Sequence, residues 1–372
     1  MKKVHITFVG GQPIPVYYVA KNINPDKIIY IYSNRTFEEM QLIRDELKEI
    51  ETEEILLDAV LPQEIKKCAE KLATKYIQDE VTVNISSGTK SWSYWFGVIF
   101  DRCENATILY LDQNSNLWNY KTLKSVKLTF DMPINFRLQG NPINNYTEYG
   151  DYTEADFKAI EEIENIRRFD YNIFNELVLL LTPEKRVQFN APIGRIESGE
   201  SYIEWDKSNT RVEISVIKKN GKSLTKTLVS PHVIDLAFNT GWFELKVAKI
   251  LSGWQYAKKI YMNCRFPSLE NLDKNEVDII VDTGEKVLFV ECKTQIKTST
   301  DIDKFRSVVK KYGGMGSKAL FVTHSDMSEL SKEKCEEYRI IHFSMNEDLF
   351  GLGVEKTLYY KLDQEFKNLN TR

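Results

Sequence analysis

The sequence predicts an α/β protein in at least two parts: an N-terminal parallel sheet with helices on both faces, and a C-terminal α/β part organised around one acidic hairpin. Three observations carry this expectation. Strand-like and helix-like runs alternate from the first residues to about residue 130. The stretch Gly140-Asn141-Pro142-Ile143-Asn144-Asn145-Tyr146 then breaks the alternation with turn-forming residues. Further on, two runs rich in Val, Ile, Leu and Phe, residues 276–282 and 285–295, flank a Thr283-Gly284 turn.

In the N-terminal part, apolar β-branched runs predict strands at 4–9, 27–33, 54–58, 81–85 and 107–111. Runs with helical spacing predict helices at 16–21, 36–50, 61–77 and 89–103. Such an order forms a Rossmann-like, doubly wound sheet, which binds ligands beyond the carboxyl ends of its strands. Two of those ends are unusual. The first strand runs into Gly10-Gly11-Gln12-Pro13-Ile14, and the fourth into Asn84-Ile85-Ser86-Ser87-Gly88-Thr89-Lys90, which opens onto a helix. Small residues before exposed helix-terminal amides suit a phosphate, with Thr89 and Lys90 adding a hydroxyl and a charge; a plain strand-to-helix turn is the alternative. Ser33 and Asn34, at the end of the second strand, share that edge. No G-x-G-x-x-G opens the first helix and no G-x-x-x-x-G-K-[ST] occurs, which disfavours a nicotinamide site and a Walker A loop. The helix at 89–103 is aromatic on nearly every side, so it is buried on more than one face, inside its own domain or against a second subunit.

Length and composition bound the rest. A chain of 372 residues accommodates two or three domains, read here as 1–138, an appendage of linker, helix and β-hairpin over 139–230, and a core over 231–372. The formal net charge of −4 excludes a constitutive polycation, so nucleic-acid binding has to rest on local basic patches. No run reaches the apolar length of a membrane span, and Met1-Lys2-Lys3-Val4-His5 lacks the apolar region of a secretory signal. Five scattered cysteines without C-x-x-C spacing point to a reducing cytoplasm and no structural zinc. In the appendage, a helix is expected over 154–181 and a hairpin around Asn220-Gly221.

Chemistry concentrates in the acidic hairpin. Side chains alternate along strands, so Glu276, Asp278, Glu291 and Lys293 share one face, and Gln295 follows them. With Asp282 facing Glu285, Asp278 falls opposite Phe289 and Glu276 opposite Glu291. Three carboxylates that close repel unless a cation sits among them; magnesium or manganese suits all-oxygen ligands. A solvent-facing charged stripe is the plainer alternative. Upstream, the helix from Gly241 puts Glu244 on the side of Val247, Ala248 and Leu251, either as a buried acid that needs a partner or as a first-turn complement to the helix dipole. The helix at 301–312 carries Lys304, Arg306, Lys310 and Lys311, a solvated face or a hold on phosphate. His5, His232, His324 and His342 share no pattern and read as structural.

The helix glutamate, the hairpin aspartate and Glu291-Cys292-Lys293 together resemble the PD-(D/E)xK nuclease superfamily. Asn84 to Lys90 resembles the fourth-strand motif of the CARF family, CRISPR-associated Rossmann-like sensors of cyclic oligoadenylates, with Ser87 in place of a glycine in the family's Gly-Gly-Thr-Lys. The combination resembles the CARF-plus-nuclease effectors of type III CRISPR systems, with a restriction-endonuclease-like C-terminal domain. That resemblance implies a cytoplasmic homodimer activated by cyclic tetra-adenylate that cleaves single-stranded RNA, single-stranded DNA or supercoiled plasmid with Mn2+ or Mg2+. It implies metal ligation by Asp278, Glu291, the Cys292 carbonyl and Glu244, and a water positioned by Lys293. Glu276 either faces the site or caps its strand. The rival expectations are a ring nuclease that degrades the cyclic ligand and a ligand-controlled nucleic-acid-binding regulator.

Overall fold

The computed structural model describes residues 1–179, 191–238, 240–267, 276–284, 286–296, 300–313 and 317–367. The chain divides into two units, Met1–Ile143 and Asn144–Arg372.

The first unit alternates β1 (Lys3–Phe8), α1 (Pro13–Ile23), β2 (Lys27–Tyr32), α2 (Phe37–Glu46), β3 (Glu51–Leu56), α3 (Pro62–Lys75), β4 (Glu80–Asn84), α4 (Lys90–Asp101) and β5 (Ala106–Leu111). The five strands are parallel in the order β3-β2-β1-β4-β5. Helices cover both faces, which is why β1 is buried along nearly its whole length. Ile6, Phe8, Trp92, Phe96 and Phe100 pack one side, and Tyr17, Tyr30, Met40 and Ile43 the other. Helix α4 sets Trp92, Phe96 and Phe100 into the sheet at intervals of four, whereas Tyr94 is 61% exposed. Its aromatic surround is thus one buried face plus a partly open one. An antiparallel hairpin, β6 (Asn116–Asn119) and β7 (Lys124–Lys127), extends the sheet, followed by α5 (Met132–Leu138). The sequence reading missed that hairpin because β7 is four exposed residues with no apolar period.

The second unit begins with β8 (Asn145–Glu148), α6 (Glu154–Phe169) and α7 (Tyr171–Leu179). A meander follows: β9 (Ile193–Ser198), β10 (Ser201–Asp206), β11 (Arg211–Ile217) and β12 (Ser223–Val229). Then come α8 (Val233–Phe238), α9 (Gly241–Ser252), β13 (Lys259–Arg265), β14 (Glu276–Asp282), β15 (Val287–Lys293), α10 (Thr300–Tyr312), β16 (Ser317–Thr323), α11 (Glu329–Glu337), β17 (Ile341–Ser344) and α12 (Val354–Lys367). A six-stranded mixed sheet runs β17-β16-β15-β14-β13-β8. Among the described residues no helix is long and apolar enough to cross a membrane.

The expected boundaries shift in this unit. The segment read as linker supplies β8, paired with β13, because its backbone completes a sheet edge that its Asn-rich side chains do not advertise. Residues 144–230 are no separate appendage: Ile160, Ile163, Trp205 and Ile214 share one core with Leu245, Val281 and Leu320. The helix expected over 154–181 breaks at Asp170, whose carboxylate accepts the Ile173 N–H at 3.1 Å and starts α7; residues 180–181 lie outside the described residues. The Asn220-Gly221 hairpin forms as expected, with Gly221 at φ 80°.

In the acidic hairpin, Asp282 pairs with Val287 and Ile280 with Phe289. The register therefore differs by two residues from the one expected, and Glu285 lies outside the described residues. Thr283 closes the longer turn, its N–H and Oγ1 both donating to the Lys286 carbonyl. A shift of two leaves every side chain on its expected face. Glu276 pairs instead with Arg265 across β13. Strand β15 ends at Lys293, so exposed Gln295 is not carried on its face.

Candidate active site and ligand crevice

In the second unit, Glu244, Asp278, Glu291, Lys293 and Glu276 line one cavity of about 720 Å³, all five expected side chains brought together. Glu244 enters from the first turn of α9. It is 7% exposed and accepts a hydrogen bond from Thr240 Oγ1 at 3.1 Å. That turn packs tightly on α8: a Cβ on Gly241 would lie 2.8 Å from the Asp235 carbonyl oxygen, so the residue has to be glycine. Asp278 on β14 accepts the backbone N–H of Cys292 at 2.7 Å. Glu291 on β15 lies 2.5 Å from the ammonium of Lys293, which stands 3.8 Å from Asp278.

Burial and mutual repulsion set the electrostatics. Desolvation raises the Glu244 carboxyl well above its ordinary value, and the charge of Asp278 adds to this. Glu291 is pushed up to about 8 by burial, then by Asp278, against the pull of Lys293. Asp278 is raised by burial and held back by Lys293 and the Cys292 N–H. Burial works against the Lys293 charge, yet Asp278 and Glu291 hold its pKa above the usual lysine range. Glu276 is offset separately by Arg265 Nε at 3.4 Å. Three carboxylates thus face a single committed ammonium.

Among the described residues no three His, Cys, Asp or Glu side chains form a preformed cation cage. The donor set nevertheless fits a hard divalent ion: Glu244, Asp278 and Glu291 offer carboxylate oxygens, and one ammonium leaves their charge in excess. Cys292 is 2% exposed, with its side chain in the apolar core on the opposite face of β15 from Glu291 and Lys293, while its N–H holds Asp278 in place.

In the first unit, the loops after β1 and β4 flank the point where the strand order reverses, the place such sheets reserve for ligands. The two loops touch. Ser87 Oγ accepts the Gly10 N–H at 3.1 Å and donates to the Gln12 carbonyl at 3.3 Å. A Cβ on Gly10 would lie 2.7 Å from the Gly88 nitrogen. Gly88 has φ +81°, and a Cβ there would lie 2.5 Å from Phe8 Cβ. Thr89 caps α4 by accepting the Trp92 N–H at 3.2 Å. Asn84 is fully buried, donating to Thr7 Oγ1 and accepting from Ser86, whose hydroxyl oxygen also takes the Leu111 N–H. Ser33 caps its own turn with Thr36.

The family model described as the Card1 CARF domain matches residues 4–138. The N-terminal unit is a CARF domain. No curated protein matches the chain. Among solved structures, it is similar to Can2 from Sulfobacillus thermosulfidooxidans in complex with cyclic tetra-adenylate, at 17% identity and TM-score 0.64, covering 97% of this chain and 98% of that one. It is also similar to protein VC1899 from Vibrio cholerae, at 17% identity and TM-score 0.67, covering 98% of each. At such identity the likeness is one of fold, and it extends over both units.

Within the CARF domain the expected residues divide by exposure. Gly11, Gln12, Asn34, Gly88 and Lys90 are open or nearly so, Ile14, Ser33, Ser86, Ser87 and Thr89 are half-buried, and Pro13 and Asn84 are buried. Asn84 and Ser86 hold the loops in place. In the second unit the sequence reading missed Tyr146, Tyr152, Asp235, Asn263 and Arg265, all lining the acidic cavity. Asn263 sits at φ 53°, where the β8–β13 register slips, a conformation Asn tolerates better than most residues. No motif marks these positions: Tyr146, Asn263 and Arg265 arrive on β8 and β13, one of which was read as linker, Tyr152 ahead of α6 and Asp235 on α8.

Proposed function

We propose that the chain is a metal-dependent nuclease controlled by a cyclic oligoadenylate, of the kind that serves type III CRISPR defence, with a PD-(D/E)xK domain as its second unit. The convergence of Glu244, Asp278 and Glu291 beside Lys293 in one cavity carries this reading, since a buried excess of carboxylates has no simpler structural purpose. The CARF match and the fold shared with Can2, solved with cyclic tetra-adenylate, support a cyclic tetra-adenylate activator seated at Gly10 to Ile14, Ser33-Asn34 and Ser86 to Lys90. A homodimer would set two copies of those loops about a two-fold axis, matching the symmetry of the ring.

Asp278, Glu291 and Glu244 would hold Mn2+ or Mg2+, joined by the Cys292 carbonyl. Such an ion, when bound, activates water and offsets charge on the phosphate. Lys293, kept charged by two carboxylates, orients the attacking water and stabilises negative charge on the reacting phosphoryl oxygens. Arg265, paired with Glu276 at the rim, adds a cation toward the strand.

The test is cleavage of labelled single-stranded RNA, single-stranded DNA and supercoiled plasmid by the full chain, with Mn2+ or Mg2+ and cyclic oligoadenylates of several sizes. Divalent-dependent cleavage that requires the cyclic ligand is expected. No cleavage of any substrate under these conditions would overturn the reading, and fragmentation of the cyclic ligand alone would replace it with the ring-nuclease alternative.

A further inference from the structure

On the far side of α9 from the acidic cavity lies a second pocket of about 450 Å³, lined by Glu164, Arg167, Arg168, Phe169, Tyr171 and His324 among others. Trp242, against this pocket, and Glu244, in the acidic cavity, are two positions apart on α9. They therefore project about 200° apart around the helix. The two sites also meet through the sheet, because the His324 N–H donates to the Lys293 carbonyl at 3.0 Å.

Arg167 is the unusual member. It is 8% exposed, and its guanidinium stacks 4.1 Å from the Trp242 ring and 5.3 Å from the Tyr171 ring. Among the described residues no carboxylate comes within ion-pair distance of it. The two acids of the pocket are engaged elsewhere: Glu164 pairs with Lys246 and lies 3.8 Å from Arg168, while Asp170 caps Ile173 and stands 4.0 Å from Lys218. Burying a cation with no carboxylate in contact is costly, and burial holds the Arg167 pKa below its ordinary value against the more distant charge of Glu164 and a hydrogen bond with Tyr171. Beside it, burial followed by the charges of Arg167 and Lys246 lowers His324 to about 4. The pocket is therefore an aromatic-flanked site in which a buried guanidinium touches no carboxylate among the described residues, with Tyr171 43% exposed at its edge.

We propose that this pocket is a second subsite for the nucleic-acid strand. Arg167 and Arg168 hold a phosphodiester of a single strand whose scissile bond lies in the acidic cavity, and Tyr171 stacks a neighbouring base. Guanidinium forks suit phosphate oxygens, and single strands are held by alternating cationic and aromatic contacts. The proposal rests on the nuclease reading and adds the path of the substrate.

The test measures binding of a fluorescent single-stranded oligonucleotide by the full chain in a Glu291→Gln background, without divalent ions, across a salt series. Arg167→Met, which keeps an apolar contact with Trp242, is expected to weaken binding about tenfold. It should also reduce the slope of log affinity against log salt by about 0.7, one phosphate contact on a single strand. Arg167→Lys should recover part of both. Inorganic phosphate should displace the oligonucleotide less effectively from Arg167→Met than from its parent. Unchanged affinity and slope in a folded Arg167→Met protein would overturn the subsite while leaving the nuclease reading intact. Loss of phosphate competition without loss of oligonucleotide affinity would overturn the strand assignment in favour of a free anion. Failure of the parent itself to bind any strand would overturn the nuclease reading and this one together. Should Arg167→Met not fold, Arg168→Ala carries the same comparison, with an unchanged affinity and slope overturning the subsite.

Discussion

The ammonium of Lys293 lies 2.5 Å from the carboxylate of Glu291, two residues earlier on the same strand and therefore on the same face. The pair is half-buried and shares its surroundings with Asp278 at 3.8 Å, so removing either charge leaves the other poorly compensated. Lys293→Met is expected to lower kcat by about two to three orders of magnitude, the loss typical of a preorganised electrostatic donor. Glu291→Gln should abolish cleavage to the same extent or further. Both variants should bind a cyclic oligoadenylate as the parent does, because the CARF crevice is untouched. Parallel cleavage and ligand-binding titrations check this, and retained divalent-dependent cleavage in the double variant would contradict it.

The same cluster sets a pH dependence. Glu291 titrates at about 8 in the fold against an ordinary 4.5, so its ionisation favours the unfolded chain. Its contribution to stability is full below the lower value and falls as pH rises toward the higher one. Without divalent ions, the melting temperature of the second unit should fall between about pH 5 and about pH 8, and Glu291→Gln should flatten that fall. Because carboxylates bind metal when deprotonated, Mn2+ should raise the melting temperature more at the alkaline end of the range than at the acid end. Differential scanning calorimetry with and without Mn2+ gives both slopes.

What the sequence made legible follows from where the signal is local. The strand–helix alternation of the first unit and the two-residue period of β14 and β15 are written in neighbouring side chains, and the fold reproduced them even though the turn register moved by two. Glu244 was legible because three apolar residues follow it at helical spacing. Arg265 and Asn263 were not, since they reach the cavity through strand pairing and a backbone irregularity with no periodic trace. The placement of β8 beside β13 rests on backbone hydrogen bonds, which any sequence free of proline can supply. Arg167 escaped for a related reason: on the sequence it is one of two arginines ending an amphipathic helix, and its burial depends on Trp242, 75 positions away in the chain.

Two glycines of the CARF crevice should behave oppositely, Gly88 as one that the fold requires and Gly11 as one that it tolerates. Gly88→Ala places a Cβ 2.5 Å from Phe8 Cβ at φ +81°, so it strains the backbone and overpacks the core. A loss of about 2–4 kcal/mol in unfolding free energy is expected. Gly11→Ala meets no atom within 4 Å and should leave stability within about 0.5 kcal/mol of the parent. Urea denaturation of the first unit measures both.

Lys90 offers the cleanest separation of ligand binding from folding. It is exposed at the first position of α4, and no hydrogen bond or ion pair ties its side chain to another described residue. Its removal should therefore leave the melting temperature unchanged. In the proposed ligand seat its ammonium would supply one charge-assisted contact to phosphate beside the amides of that helix terminus, and losing it should weaken cyclic tetra-adenylate binding about tenfold or more. Isothermal titration of Lys90→Ala against its parent measures the change, with Lys90→Arg expected to retain most of the affinity. If the Ala variant binds as tightly as the parent, Lys90 stands outside the ligand site and the contact falls to the loop amides of Gly11 and Gly88.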